Sequence, residues 1–312
     1  MSKSNRNSPQ RSTASQSSYT FYEFDGDFPD DAACLEWLVG YLYPEGIFCP
    51  KCERVTKHHR VRNRTCYSCQ FCGHDEYPLV GTIFENSATS LKLWFHAIFL
   101  MSQTRCGISA KQLERELGVT YKTAWRMANK IRSLLQDDGD EPLSGTVEMD
   151  ETYVGGKRRG TKRGRPGKDS HKTPVFGMVE CNGEHKGRVV AKAVPSTKRS
   201  EIMPHVKKKV LPETIVYTDE YAVYDSLNRE GFKHDRVYHA EEVYVAGDVH
   251  TNTIEGFWSL LKRGIGGVYH SVSSKHLQGY LDEYAFRYNH RDDPAGMFGA
   301  FIGRIEKADP AS

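Results

Sequence analysis

The feature that most constrains this chain is a pair of Cys-x-x-Cys motifs, Cys49-Pro-Lys-Cys52 and Cys69-Gln-Phe-Cys72, with sixteen residues between them. A zinc ion takes four soft thiolate ligands at the corners of a tetrahedron, and two such pairs, each on a tight knuckle, supply them. The spacing fits a zinc ribbon holding one structural Zn²⁺. Gly73 follows the second pair, and a knuckle of this kind often needs a residue at positive φ. Cys66 creates an overlapping Cys66-x-x-Cys69 pair, but Gly73 favours Cys69 with Cys72 and leaves Cys66 as a spectator thiol. Cys34, Cys106 and Cys181 have no partner at motif spacing and read as buried small hydrophobes. His58 and His59 read as solvated loop residues.

At 312 residues, with 38% hydrophobic and 27% charged side chains, the chain has about two domains' worth of sequence and enough apolar content for a core. The longest apolar stretch, 91–101, contains Lys92 and His96 and is too short to span a bilayer. No apolar segment marks the first twenty residues as a signal peptide. The expected compartment is therefore the cytoplasm, with no membrane partner, where cysteines serve as ligands rather than disulfides. A net charge of only +3 argues nothing about nucleic acid, so the distribution of charge must. Between residues 51 and 64 there are six basic side chains and one acid, and between 155 and 172 there are eight Lys/Arg and one Asp.

The chain divides, on texture, into a basic tail (1–20), the ribbon (21–80), a helical region (81–136), an acidic linker around 137–142, an α/β block (143–292) and a C-terminal tail (293–312). In the helical region Leu91, Leu93, Trp94, Ile98 and Met101 form one apolar face. A second helix opens at Ser109, with Gln112 placed for a capping box, and stops at Gly118. A third follows Thr120 with Ala124, Ala128, Ile131 and Leu135 at helical spacing. Two helices broken by Gly118-Val119-Thr120 resemble a helix-turn-helix, whose second helix would present Tyr121, Lys122, Thr123 and Arg126 to DNA bases. The plain alternative is a helical hairpin with a charged outer face. The α/β block predicts strands at 145–154, 175–180, 188–194, 214–218 and 236–239, with Asn182-Gly183 as a hairpin turn. Helices are expected at 200–211, 253–265 and 274–290. Strands followed by helices indicate a mixed α/β layer fold.

Three acids stand at element ends in this block. Asp150 lies on the first strand, Asp219 ends Thr214-Ile-Val-Tyr-Thr, and Glu255 opens a helix; 68 and 35 residues intervene. Brought together, three carboxylates form a hard-oxygen site for Mg²⁺ with positions left open for water and substrate phosphate. Taken singly, they are ordinary strand-end acids and a residue favoured by a helix N-terminus. On the last of these helices Ile254, Phe257, Trp258, Leu261 and Ile265 form an apolar stripe, while Glu255, Ser259 and Lys262 share another face. The glycine-interleaved basic run holds Lys157, Arg158, Arg159, Lys162, Arg163 and Arg165. It reads either as a phosphodiester-binding loop beside the acids or as a solvated loop.

Taken together, CPKC…CQFCG, VGTIFENS, VEMDETYVGGK, VYTDEYAVY, HTNTIEGFWSLLKRGI and YLDEYAFRYNHR resemble bacterial insertion-sequence transposases with an N-terminal zinc ribbon and a DDE domain, a group related to the Merlin elements. The resemblance covers roughly residues 30–292, with the motifs in the expected order. It implies a ribonuclease-H-like catalytic domain in which Asp150, Asp219 and Glu255 bind two divalent ions, Mg²⁺ or Mn²⁺, and Lys262 contacts DNA near the scissile phosphate. The implied reaction is cleavage at the element's terminal inverted repeats, followed by transfer of the 3′-hydroxyl into target DNA. That makes double-stranded DNA the partner and requires at least two protomers on it, at the bacterial nucleoid. Glu151 and Glu220, each next to one of these aspartates, read as structural. The alternative is a catalytically inactive, transposase-derived DNA-binding regulator.

Overall fold

A computed structural model of the chain describes residues 19–136, 141–155, 172–184, 187–237, 251–293 and 296–307. The basic tail expected at 1–20 lies almost wholly outside them, as does nearly all of the basic run at 155–172. None of the described helices is long and apolar enough to cross a membrane. The chain forms two compact units, Met1–Phe95 with Asp293–Ser312, and His96–Asp292.

In the first unit, helix α1 (Phe21–Asp27) starts at a capping box in which Thr20 and Glu23 satisfy each other's backbone N–H. Helix α2 (Asp31–Leu42) starts where the Asp30 carboxylate accepts from the N–H groups of Ala32 and Ala33. The ribbon follows as β1 (Phe48–Cys49) paired antiparallel with β2 (Arg54–Val55), then a three-stranded antiparallel sheet of β3 (His58–Arg60), β4 (Tyr67–Cys69) and β5 (Asp75–Glu76). Of the expected tail at 293–312, residues 293 and 296–307 are described. They carry a helix, Met297–Ile302, because Met297, Phe298, Phe301 and Ile302 bury their side chains there. Phe298 packs against Phe24 and Phe28, with ring centroids 5.9 and 6.0 Å apart, and Lys307 pairs with Glu76 of the ribbon at 2.5 Å.

Helix α3 (Leu91–Gln103) carries the chain into the second unit. Helices α4 (Ala110–Leu117) and α5 (Tyr121–Ser133) begin at Ser109 and Thr120, whose hydroxyls accept from the N–H groups of Gln112 and Thr123. Gly118 ends α4 at φ 63°, a conformation that costs a β-carbon dearly. The Gln112 side chain bonds Glu116 and Arg115 instead of reaching back, so only half of the expected capping box is present. These helices belong to the same unit as the sheet, whereas the sequence divides them from it at the acidic linker.

The sheet has five strands, β6 (Thr146–Val154), β7 (Thr173–Asn182), β8 (Val189–Ala193), β9 (Ile215–Thr218) and β10 (Lys233–Arg236), in the order β10-β9-β6-β7-β8. The first three are antiparallel neighbours, and β9 and β10 run parallel to β6. Strand β7 runs through Asn182, so Asn182-Gly183 is not the two-residue turn its sequence suggests. Strand β10 begins three residues before its expected start. It is a polar edge strand, so no apolar alternation announces it.

Both faces of the sheet are covered. Val147, Met149, Phe176 and Met178 pack against Ile202, Met203 and Val206 of helix α6 (Arg199–Lys209). On the other face Val154, Val175 and Val179 meet Ile254, Phe257, Trp258 and Leu261 of helix α7 (Asn252–Gly264), and Leu277, Leu281 and Tyr284 of helix α8 (Ser274–Asn289). The α7 stripe read from the sequence is the buried one. Burial on both faces is why β7 is apolar over most of its length, whereas β6 sets acids among its apolar residues.

Candidate functional site

In the first unit the four motif cysteines converge. The sulfurs of Cys49, Cys52, Cys69 and Cys72 all lie within 4.8 Å of one another, with Cys49–Cys72 at 3.4 Å and Cys52–Cys69 at 3.9 Å. Tetrahedral zinc with Zn–S bonds of about 2.3 Å needs sulfurs roughly 3.8 Å apart, so the cluster fits the ion. Cys66 is wholly buried and outside the cluster, which resolves the overlapping pair in favour of Cys69 with Cys72. Thr56 Oγ1 lies 3.1 Å from Cys69 Sγ. That hydrogen bond, with backbone N–H groups of the knuckle, outweighs burial and holds the Cys69 thiol down to about 5. A thiolate is the form zinc takes. Removing the ion with a chelator, or substituting Cys52→Ser, is expected to open the ribbon to limited proteolysis between residues 46 and 77. An unchanged digestion pattern after stoichiometric zinc release would show that the ion does not hold the fold.

In the second unit, Tyr121, Lys122 and Arg126 are exposed on α5, opposite the buried Ala124, Ala128 and Ile131. Met127 joins the buried side, and the Lys111 ammonium sits 5.1 Å from the centre of the Tyr121 ring. The proposed DNA contacts Lys157, Arg158, Arg159, Lys162, Arg163 and Arg165 lie outside the described residues.

Asp150, on the central strand β6, has Asp219 and Glu255 as charged neighbours. The parallel pairing of β6 with β9 sets Thr146 beside Ile215, Val147 beside Val216 and Glu148 beside Tyr217. Continuing that register by two residues brings Asp219, just past the end of β9, level with Asp150. Glu255 comes from the first turn of α7, which covers the face of β6 that Asp150 occupies. Asp150 is raised to about 6, first by burial and then by the charges of Asp219 and Glu255; the Glu151 backbone and the Trp258 indole oppose the rise. The Asp219 carboxylate accepts from the Tyr221 N–H at 3.0 Å, and the Thr251 hydroxyl donates to Glu255 at 3.4 Å. Among the described residues only the four cysteines bring three or more ligand atoms within 4.8 Å of one another. At least one pair of the three carboxylates therefore stands further apart than that. Lys262 is exposed, two turns along α7 from the exposed Glu255.

Two neighbours of the acids carry no motif. Trp258 Nε1–H donates to Asp150 Oδ2 at 2.9 Å, although its place in an apolar stripe marks it only as core. It reaches Asp150 across Gly177, the residue paired with Asp150 on β7, where a β-carbon would fall 2.5 Å from the indole. Glu148 is fully buried two residues before Asp150. It shares one face of β6 with Asp150 and Thr152. Glu151 points to the opposite face and accepts from the buried Tyr224 hydroxyl at 2.6 Å, in keeping with a structural role. Glu220 is exposed.

Comparison with known proteins gives these motifs a family. Residues 142–289 match the ISXO2-like transposase domain and residues 29–75 match the transposase zinc-ribbon domain. A protein of the transposable element ISH50 from Halobacterium salinarum is 31% identical over 276 residues, covering 83% of this chain and 91% of its own length. A transposase-like protein from Haemophilus influenzae is 30% identical over 107 residues, 34% of this chain and 85% of its own. Of solved structures, a pre-cleavage Mos1 transpososome aligns at 12% identity and TM-score 0.25, over 68% of this chain and 79% of that one. With a matching domain on the sheet unit, its companion domain on the ribbon, and a relative aligned along most of both chains, the protein belongs to the ISXO2-like transposase family.

Proposed function

We propose that the chain is an active DNA transposase that cleaves phosphodiester bonds at its element's ends and transfers the freed 3′-hydroxyl into target DNA. The observation that carries this reading is a largely buried Asp150 with the charges of Asp219 and Glu255 beside it, a cost that a bound cation would relieve. The strand order, with β6 central, β7 and β8 antiparallel on one side and β9 and β10 parallel on the other, supports a ribonuclease-H-like domain around these acids.

The three carboxylates would hold two divalent ions, Mg²⁺ or Mn²⁺, which when bound supply an activated water and charge stabilisation at the leaving 3′-oxygen. Asp150, fixed by Trp258, and Asp219, fixed by the Tyr221 N–H, offer oxygens from two neighbouring strands. Glu255 offers a third donor from the helix above, and Lys262 sets a positive charge along the same helix face for the DNA backbone. None of these residues needs to form a covalent bond to DNA. The exposed Tyr121, Lys122 and Arg126 on α5 would meet the terminal repeats, with the ribbon as a second contact and a pair of protomers joining two ends.

The test is a labelled duplex carrying the DNA that flanks this gene, incubated with purified protein and Mg²⁺ beside an Asp219→Ala control. Nicked and joined products that vanish in the control are expected. Binding with no cleavage in Mg²⁺ or Mn²⁺ would leave a DNA-binding regulator, and cleavage with no joined product would leave a nuclease. Replacing Lys122 and Arg126 by Gln should weaken end binding by about tenfold or more at moderate salt, since each charge released from phosphate contacts or base edges costs about 1–3 kcal/mol. Equal binding by gel shift would reduce α5 to a charged surface helix.

A further inference from the structure

We infer that Glu148 is a positioning residue that fixes the start of α7, and with it Glu255, beside Asp150 for binding a metal ion. Helix α7 lacks a cap of its own, because Thr251 at its N-cap position makes no side-chain bond to the helix backbone. The first-turn donors go instead to a side chain from the sheet. Glu148 Oε2 accepts from the N–H of Thr253 at 2.8 Å and of Ile254 at 2.9 Å. Its other oxygen, Oε1, accepts from the Cys181 thiol at 3.1 Å, and that thiol lies 3.6 Å from the Thr253 hydroxyl. A fully buried carboxylate is costly unless its oxygens are bonded, and here two helix amides and a thiol bond them.

The consequence is geometric. Glu148 and Asp150 are two residues apart on β6 and face the same side. Thr253 and Glu255 are two residues apart in the first turn of α7. The Glu148 bond and the Trp258–Asp150 bond therefore pin the helix to the strand at two points, on either side of Glu255. A side chain that touches neither metal nor DNA would set the spacing of two that do. This inference rests on the reading of Asp150, Asp219 and Glu255 as the metal site.

The experiment measures Mn²⁺ binding to the zinc-loaded full chain by calorimetry, well below the melting temperature, for wild type, Asp150→Asn and three variants at 148. Wild-type binding that disappears in Asp150→Asn establishes the acid site, and its absence from wild type overturns that reading and this inference together. With the acid site established, Glu148→Ala should weaken Mn²⁺ binding by about tenfold or more, as loss of outer-shell partners does. Glu148→Gln keeps an oxygen for both amides and should stay within about threefold of wild type. Glu148→Asp keeps the charge but falls one methylene short, should behave like alanine, and is read in its place if the alanine variant does not fold. Mn²⁺ affinity unchanged in the alanine or aspartate variant, or lost equally in the glutamine variant at matched thermal stability, would overturn the inference and leave Glu148 a structural cap.

Discussion

Asp150→Asn should abolish Mg²⁺-dependent cleavage, by about a thousandfold or more, and at the same time make the metal-free protein more stable. The two effects share one cause. Asp150 is largely buried, and Asp219 and Glu255 add their charges to the cost of ionising it, so its folded value is about 6 against about 3.9 in an unfolded chain. Between those values the folded protein binds the extra proton. Wild-type stability therefore falls as pH rises from about 4 to about 6 and stays low above that, by roughly 3 kcal/mol in total. Asparagine carries no charge, keeps the acceptor for the Trp258 indole, and escapes that loss. Melting temperatures of the two proteins should be close at pH 4, diverge by pH 7 in favour of the variant, and converge again when Mg²⁺ is added, through a gain in wild type alone. A constant difference across pH, or equal Mg²⁺ stabilisation of both proteins, would show that Asp150 is neither the strained acid nor the ligand. DNA binding should survive the substitution, since the exposed basic residues of α5 are untouched by it.

Which parts of this site are legible in the sequence follows from what sequence patterns encode. The zinc ligands are local, two knuckles each closed within four residues, and the motif with Gly73 favours these four over the overlapping Cys66. Helix limits at Ser109, Gly118 and Thr120 are local too, because caps are chemistry at single positions. The convergence of Asp150 with Asp219 is not local. It depends on β9 lying parallel beside β6, a pairing across more than 60 residues that neither strand announces, and the family resemblance supplies it where periodicity does not. Least legible are groups whose work is to hold others. Trp258 sits in an apolar stripe and reads as core, which it also is. Gly177, which no motif marks, is the gap through which the indole reaches Asp150. The tail expected at 293–312 is short and mixed in character, and only packing against Phe24 and Phe28 shows its helix to be part of a core.

The same limit applies to the second large effect, which lies well away from the acids. Glu283 of α8 should tolerate no loss of its carboxylate: Glu283→Ala is expected to cost about 3–5 kcal/mol, enough to unfold the second unit at moderate temperature. The carboxylate is completely buried and bonds two buried arginines, Arg132 Nε at 2.8 Å and Arg287 Nη2 at 2.6 Å. Arg132 lies over the Tyr280 ring at 4.0 Å, and Arg287 donates to the carbonyls of Thr104 and Met101 at the end of α3. One carboxylate thus joins α8 to α5 directly and, through Arg287, to the end of α3. Burial alone would raise the Glu283 carboxyl, but the two guanidinium groups outweigh it and hold it below the ordinary value. Its contribution is therefore present at neutral pH and lost as pH falls below about 4. Truncating it leaves two cations in the interior with half their partners, a cost that exceeds the net worth of the intact pair. Urea unfolding at pH 7 should show the loss for Glu283→Ala. Replacing Glu283, Arg132 and Arg287 together by Leu, Met and Met should recover much of it, because the uncompensated charges go as well. If the single variant unfolds at the wild-type midpoint, the cluster does not hold the helices to the sheet. If the triple variant is no better than the single one, the arginines' bonds to α3, rather than the buried charge, set the cost.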